Sequence, residues 1–121
     1  MKFKNCLNKL DKSVETTIQP KNKVELKKII EDTIKEQGYD CDLNFIDTSK
    51  ITDMSKLFCV SNFNGDISKW DVSNVKDMLA MFCGSTFNGN ISKWDVSDVR
   101  DMSGMFNHSP LEGNEPDWYK D

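Results

Sequence analysis

Aspartates recur along this chain at a fixed interval. Asp47, Asp71 and Asp95 stand 24 residues apart, and so do Asp53, Asp77 and Asp101. Carboxylates stacked in this way could bind calcium, which needs several oxygen ligands per ion, held in solenoid repeats by a glycine-rich loop. Here each aspartate is separated from the next acid of its own copy by apolar and hydroxyl residues. The spacing therefore predicts backbone capping, and no metal or other cofactor is expected. Ser61, Ser85 and Ser109, with Asn64 and Asn88, are expected to close turn hydrogen bonds in the same way.

The thiols and the single imidazole support no other chemistry. Of Cys6, Cys41, Cys59 and Cys83, the last two are one period apart and so occupy equivalent sites on adjacent copies. No C-x-x-C pair exists, and His108 does not share their column but follows Asn107, which does. A zinc site is not expected. In a reducing compartment these cysteines act as small buried hydrophobes, whereas a Cys59–Cys83 disulfide would mark an oxidising one. His108 has no nucleophile at a meaningful spacing, and no G-x-S-x-G, Walker loop or H-E-x-x-H is present. Carboxylate pairs repeat in every copy, whereas an active site is singular. No catalytic residue is assigned and the chain is read as a non-enzyme.

The element that positions these groups is a repeat. Residues 63–70, Phe-Asn-Gly-Asp-Ile-Ser-Lys-Trp, return almost unchanged at 87–94, and 71–78 return at 95–102. A period of 24 implies stacked units, none of which buries its apolar face alone. One period earlier, Tyr39, Asp42, Leu43, Asp47, Ile51, Asp53 and Met54 fall on the same register; one period later, Leu111, Gly113, Asn114 and Trp118 do. In that last copy Glu115 replaces Ile91 and Pro116 replaces Ser92, so 111–121 reads as a closing cap. Stacking makes apolar columns of Met54/Met78/Met102, Leu57/Met81/Met105, Phe58/Phe82/Phe106, Phe63/Phe87/Leu111 and Trp70/Trp94/Trp118.

Within a copy, Ser73 or Asn74 is expected to cap a short helical stretch containing Met78, Met81 and Phe82, with Asp77 in its first turn. Gly89 is expected to turn the chain at positive φ. Trp94 and Val96, two apart, suit an extended segment that points both to one side. Before the repeats, Asn22 three residues ahead of Glu25 forms a capping box, and Leu26, Ile29, Ile30, Thr33, Ile34 and Gln37 follow helical spacing. Gly38 is placed to end that helix in a left-handed conformation. Phe3, Leu7, Leu10 and Val14 fit a short helix, and 16–20 looks extended. The fold expected is an α+β repeat protein, a short leucine-rich-repeat-like solenoid of about three coils. Each coil holds a short strand or extended segment and a helical turn, with residues 1–38 supplying a capping α-helix and residues 39–121 the repeats.

The chain has 121 residues and a net charge of −4, unevenly spread. Residues 1–38 carry nine lysines against six acidic groups, net +3, and residues 39–121 carry seven basic against fourteen acidic groups, net −7. An acidic repeat surface repels phosphate, so no nucleic-acid partner is expected. No apolar run approaches the roughly 20 residues that span a bilayer, so no membrane insertion is expected. Lysines at 2, 4, 9 and 12 interrupt any signal-peptide core. A soluble, cytoplasmic monomer is the expectation.

The phrases 63–75, Phe-Asn-Gly-Asp-Ile-Ser-Lys-Trp-Asp-Val-Ser-Asn-Val, and 101–106, Asp-Met-Ser-Gly-Met-Phe, resemble the DUF285 repeats of the BspA-type leucine-rich-repeat-like family, found in bacterial surface proteins and mycoplasma lipoproteins. The resemblance covers about residues 39–121, and 42–47 with the helix before them is similar to the usual lead-in. It implies a short solenoid with a role in adhesion or other protein binding. Scaffold positions are copied between repeats, so the uncopied ones are the candidates for partner contact. These are Leu79, whose counterparts are Ser55 and Ser103; Lys56, which aligns with Ala80 and Gly104; and Val60 and His108, which align with Gly84. The Lys69/Lys93 column adds charge. The alternative reading is a small acidic intracellular inhibitor or immunity-type protein that masks a basic partner.

Overall fold

The computed structural model describes residues 17–120. The short helix expected from Phe3 to Val14 lies outside the described residues. Of the extended segment expected over 16–20, Ile18 is bridged in parallel to Ile46, and the Asp47 amide donates to the Ile18 carbonyl at 2.8 Å.

Helix α1 (Lys23–Gln37) forms where its caps are written. The Asn22 side chain accepts the Glu25 amide at 3.0 Å. Glu25 reaches back one residue further than a strict capping box requires, to the Lys21 amide at 2.8 Å. Leu26 and Ile30 are buried in the same core as the repeats, and Lys23 clamps the helix to the first copy through Ser55 and Asp53. Gly38 ends the helix at φ 96°, ψ 173°, not in the left-handed helical well. This corner of backbone space is nearly closed to residues with a Cβ.

Beyond α1 the copies lie one on another in register, with parallel bridges Asp42–Asp66, Asp53–Asp77 and Asp77–Asp101. The expected α+β solenoid, with a strand and a helical turn per coil, does not form. Among the described residues there is one helix and no sheet, only isolated bridges. The cause lies in how the amides divide their bonds. Met81, Cys83 and Ser85 donate three residues back, to Met78, Ala80 and Phe82, at 3.0–3.2 Å. The intervening Ala80, Phe82 and Gly84 donate across to Ser103, Met105 and Asn107 of the next copy, at 2.8–3.0 Å. A helix needs every amide turned inward along its own axis, and a strand needs none bonded locally. A chain that alternates the two is neither.

The helical stretch expected around Met78 is therefore a run of turns. Ser73 does not cap it: its amide and hydroxyl both bond the Asp71 carboxylate, and Asn74 donates sideways to the Ser49 carbonyl. Gly89 does not take positive φ either. A Cβ on it would lie 2.6 Å from the Phe87 ring, and one on its counterpart Gly65 would lie 1.8 Å from the Cys41 carbonyl oxygen. Glycine is required here by close approach.

The apolar columns form. Phe58, Phe82 and Phe106 stack at 5.6 and 5.7 Å with rings within 5° of parallel. Phe63 stacks on Phe87 at 6.1 Å; Trp70, Trp94 and Trp118 stack at 6.5 and 6.3 Å. Each indole nitrogen also reaches back 27 residues to a carbonyl of the previous copy: Trp70 to Leu43, Trp94 to Ile67, Trp118 to Ile91, at 2.9–3.1 Å. One residue type thus supplies both the apolar stacking and a polar pin between copies. Met54, Met78, Met81 and Met105 are fully buried, while Val96, Val99 and Met102 of the last full copy are only partly so.

Two substitutions test this account by chemical denaturation. Gly38→Ala, whose Cβ meets nothing closer than 3.6 Å, isolates backbone strain and should cost about 1–3 kcal/mol. Trp94→Phe removes a pin and part of a buried ring and should cost about 2–4 kcal/mol, clearly more than Trp118→Phe at the half-buried end of the stack. Both variants lose a pin, so equal losses for the two tryptophans would contradict the part assigned to burial of the inner ring.

Candidate functional site

Six of the turns share a backbone feature that singles out one edge of the molecule. Lys56, Ala80 and Gly104 have φ of 58°, 52° and 63°; Val60, Gly84 and His108 have 57°, 68° and 60°. Each is the third residue of a four-residue turn, the position at which a type II turn requires positive φ. Glycine takes this conformation without strain, and other residues do so at a cost of about 1–2 kcal/mol. The six form two parallel columns four residues apart. Bonds from Lys56 to Leu79 and from Ala80 to Ser103 tie the first column; bonds from Val60 to Cys83 and from Gly84 to Asn107 tie the second. The result is a ridge whose backbone is fixed by the stack and whose side chains are free to vary.

Four of the six sequence candidates lie on this ridge. Lys56, Val60 and His108 are exposed members of the columns themselves. Leu79 sits beside Ala80, is half-buried, and spends its amide on the Asp77 carboxylate. Lys69 and Lys93 are exposed too, but they occupy a separate column, in the turn that Trp70 and Trp94 close onto Ile67 and Ile91. Val60 is the unusual one. It is 77% exposed, and a β-branched residue at positive φ is an outlier that packing here does not repay.

A groove of about 430 Å³ runs between this ridge and α1, lined by Ile34, Tyr39, Leu57, Cys59 and Val60, with Lys27, Lys35 and Glu31 among its charged groups. Tyr39 belongs to it unexpectedly. It holds the register of Phe63, since the Asn64 amide donates to its carbonyl at 2.8 Å, yet its ring is 53% exposed. Its hydroxyl was the available signal: the equivalent positions are Phe63, Phe87 and Leu111.

The aspartate columns have an assigned duty. Asp42, Asp47, Asp53, Asp66, Asp71, Asp77, Asp95 and Asp101 each accept, through Oδ1, the amide two residues on, at 2.8–3.0 Å. Asn90 does the same with a neutral side chain. Ser61 and Ser85 close turns onto the Phe63 and Phe87 amides, whereas Ser109 donates to the Phe106 carbonyl instead. Among the described residues, no three His, Cys, Asp or Glu side chains converge to hold an ion. None of Cys41, Cys59 and Cys83 is in a disulfide, and Cys59 and Cys83 are free thiols. No helix among the described residues is long and apolar enough to cross a membrane.

Several carboxyls are held below their ordinary range. Asp47 is lowered by the Ser49 hydroxyl and then its amide, and Asp66 by the Ser68 amide and the Asn44 side chain. At Asp53 burial pushes upward, but the Ser55 bonds and Lys23 outweigh it. A depressed folded value stabilises the fold above the unfolded value, 3.8, and that stabilisation is lost as pH falls through the folded one. The melting temperature should therefore hold from pH 7 to about 5 and fall below about 4. Asp66→Asn, which keeps the turn as Asn90 does, should blunt the fall; an unchanged acid profile would contradict the assignment.

The register, the pinned tryptophans and the repeated turn chemistry extend from α1 to the last copy, and so does the family likeness. The family model described as "Mycoplasma protein of unknown function, DUF285" matches residues 25–118. No curated protein and no solved structure matches the chain. A match over most of the chain, from within α1 to Trp118, shows that this protein belongs to the DUF285 family.

Proposed function

We propose that this chain is a non-enzymatic protein-binding module whose contact face is the turn ridge and the groove beside α1. The observation that carries the reading is Val60, an apolar side chain held in solvent on a strained backbone, in a column where Gly84 supplies the unstrained choice. Strain that packing does not require is a mark of functional positions. Around Val60 the face offers an aromatic ring from Tyr39 and three positive charges, from Lys27, Lys35 and Lys56, against one carboxylate, Glu31, in a chain that is acidic overall. It suits a protein segment with an apolar side chain flanked by carboxylates, which a rigid and complementary surface would select.

The test uses the full chain as bait, with the bound proteins identified by mass spectrometry. Val60→Gly should raise stability by about 0.5–1 kcal/mol, since relief of strain exceeds the extra freedom gained by the unfolded chain. The same change should abolish capture of the partner, and Lys56→Glu should weaken it. A partner retained undiminished by both variants would overturn the assignment of this face.

A further inference from the structure

We infer that Cys59 and Cys83 form a dithiol site that closes to a disulfide between adjacent repeats when the chain meets a small-molecule disulfide. Cys59 also lines the groove of the proposed binding face, but its pairing with Cys83 rests on the register of the two copies and not on that reading. The amides of Phe58 and Val60 donate to the carbonyls of Met81 and Cys83 at 2.9 and 2.7 Å, which sets residues 58–60 against 82–84 in register. Backbones paired in this way run about 4.8 Å apart. Disulfide-bonded cysteines have Cα atoms roughly 4.4–6.8 Å apart, a range that includes this spacing, and Cβ atoms roughly 3.5–4.5 Å apart, so closure draws the two turns together by a few tenths of an ångström.

Both neighbours of each cysteine show that the side chains leave the backbone in matching directions. On one side, Phe58 and Phe82 stack at 5.6 Å with their rings 5° from parallel. On the other, a Cβ built on Gly84 would fall 3.4 Å from Val60 Cγ2. Cys59 and Cys83, caught between these matched pairs, face the same way. Both are free thiols and both are half-buried, open to a small reagent, whereas Cys41 is 6% exposed. The third position of the column is Asn107, so the pair has no competing thiol below it.

The chemistry balances with a disulfide of the glutathione class as oxidant. One cysteine thiolate attacks it, forming a mixed disulfide and expelling one glutathione thiolate, which takes up the proton that the cysteine lost. The second cysteine thiolate then attacks the protein sulfur of the mixed disulfide, expels the second glutathione, and leaves the Cys59–Cys83 bond. Two electrons pass to the oxidant, and the two thiol protons end on two glutathione molecules.

The full chain, equilibrated with oxidised glutathione and then alkylated, should give a tryptic species joining 57–69 to 77–93 that is absent after reduction. The oxidised chain should melt at least about 5 °C higher than the reduced one, because the bond closes a loop of one repeat in the unfolded state. Cys59→Ser should remove both the linked species and the shift, while Cys41→Ser should remove neither. Glutathione remaining singly on Cys59 or Cys83, linkage through Cys6 or Cys41, or no oxidation at all would overturn the inference.

Discussion

The fold depends on one constraint, the alternation of backbone amides between a local turn and the next copy. From Met78 to Ser85 the two kinds of bond interleave residue by residue. Turns alone would leave each copy an isolated loop, and cross-bonds alone would make a flat ladder with an open edge. Interleaving them ties every winding to itself and to its neighbour. It also forces positive φ on the third residue of each type II turn. The ridge, its strain and its tolerance of different side chains are consequences of that backbone pattern.

The tryptophan pins show how few side-chain types the scaffold needs once the backbone is set. The Leu43, Ile67 and Ile91 carbonyls each accept two bonds, one from a main-chain amide three residues on and one from an indole of the next copy. Two acceptor lone pairs are thereby filled in a buried setting where an unpaired one would cost about 1–3 kcal/mol. The indole also stacks on its counterpart, so a single large ring both fills the column and donates. The aspartates do the parallel task at the surface, where Asn90 can stand in because its amide oxygen accepts the same turn bond.

What could be read from the sequence divides along the same line. Helix α1 was legible because Asn22, Glu25 and Gly38 act locally, and the columns because 24-residue copying names the partners of Phe58 and Trp70 directly. The turns were not. Met78, Met81 and Phe82 have the spacing of a helix face, and a stack of turns buries those positions just as well. Gly89 suggested positive φ, although what excludes a side chain is the Phe87 ring there and the Cys41 carbonyl at its counterpart Gly65. The signal that could have corrected both was in plain view: glycine occurs at 84 and 104, once in each of two columns four residues apart. Lys56, Ala80, Val60 and His108 in the remaining places disguised it.

That disguise bears on how candidate contact residues should be chosen in a repeat of this kind. Variation within a column points to freedom from the scaffold, and the four residues chosen on that ground, Leu79, Lys56, Val60 and His108, lie on one ridge, whereas Lys69 and Lys93 enter for their charge. Freedom, however, differs between them. Leu79 is half-buried, so its identity is shared with packing, and Lys69 and Lys93 are copied as faithfully as the scaffold. Lys56 and His108 carry strain yet are polar and at home in water. Val60 alone of the six combines a disfavoured backbone, a β-branched side chain and exposure of an apolar surface. Three separate unfavourable features at a position that Gly84 shows can be filled without them are the reason the proposed contact face is centred on this side chain.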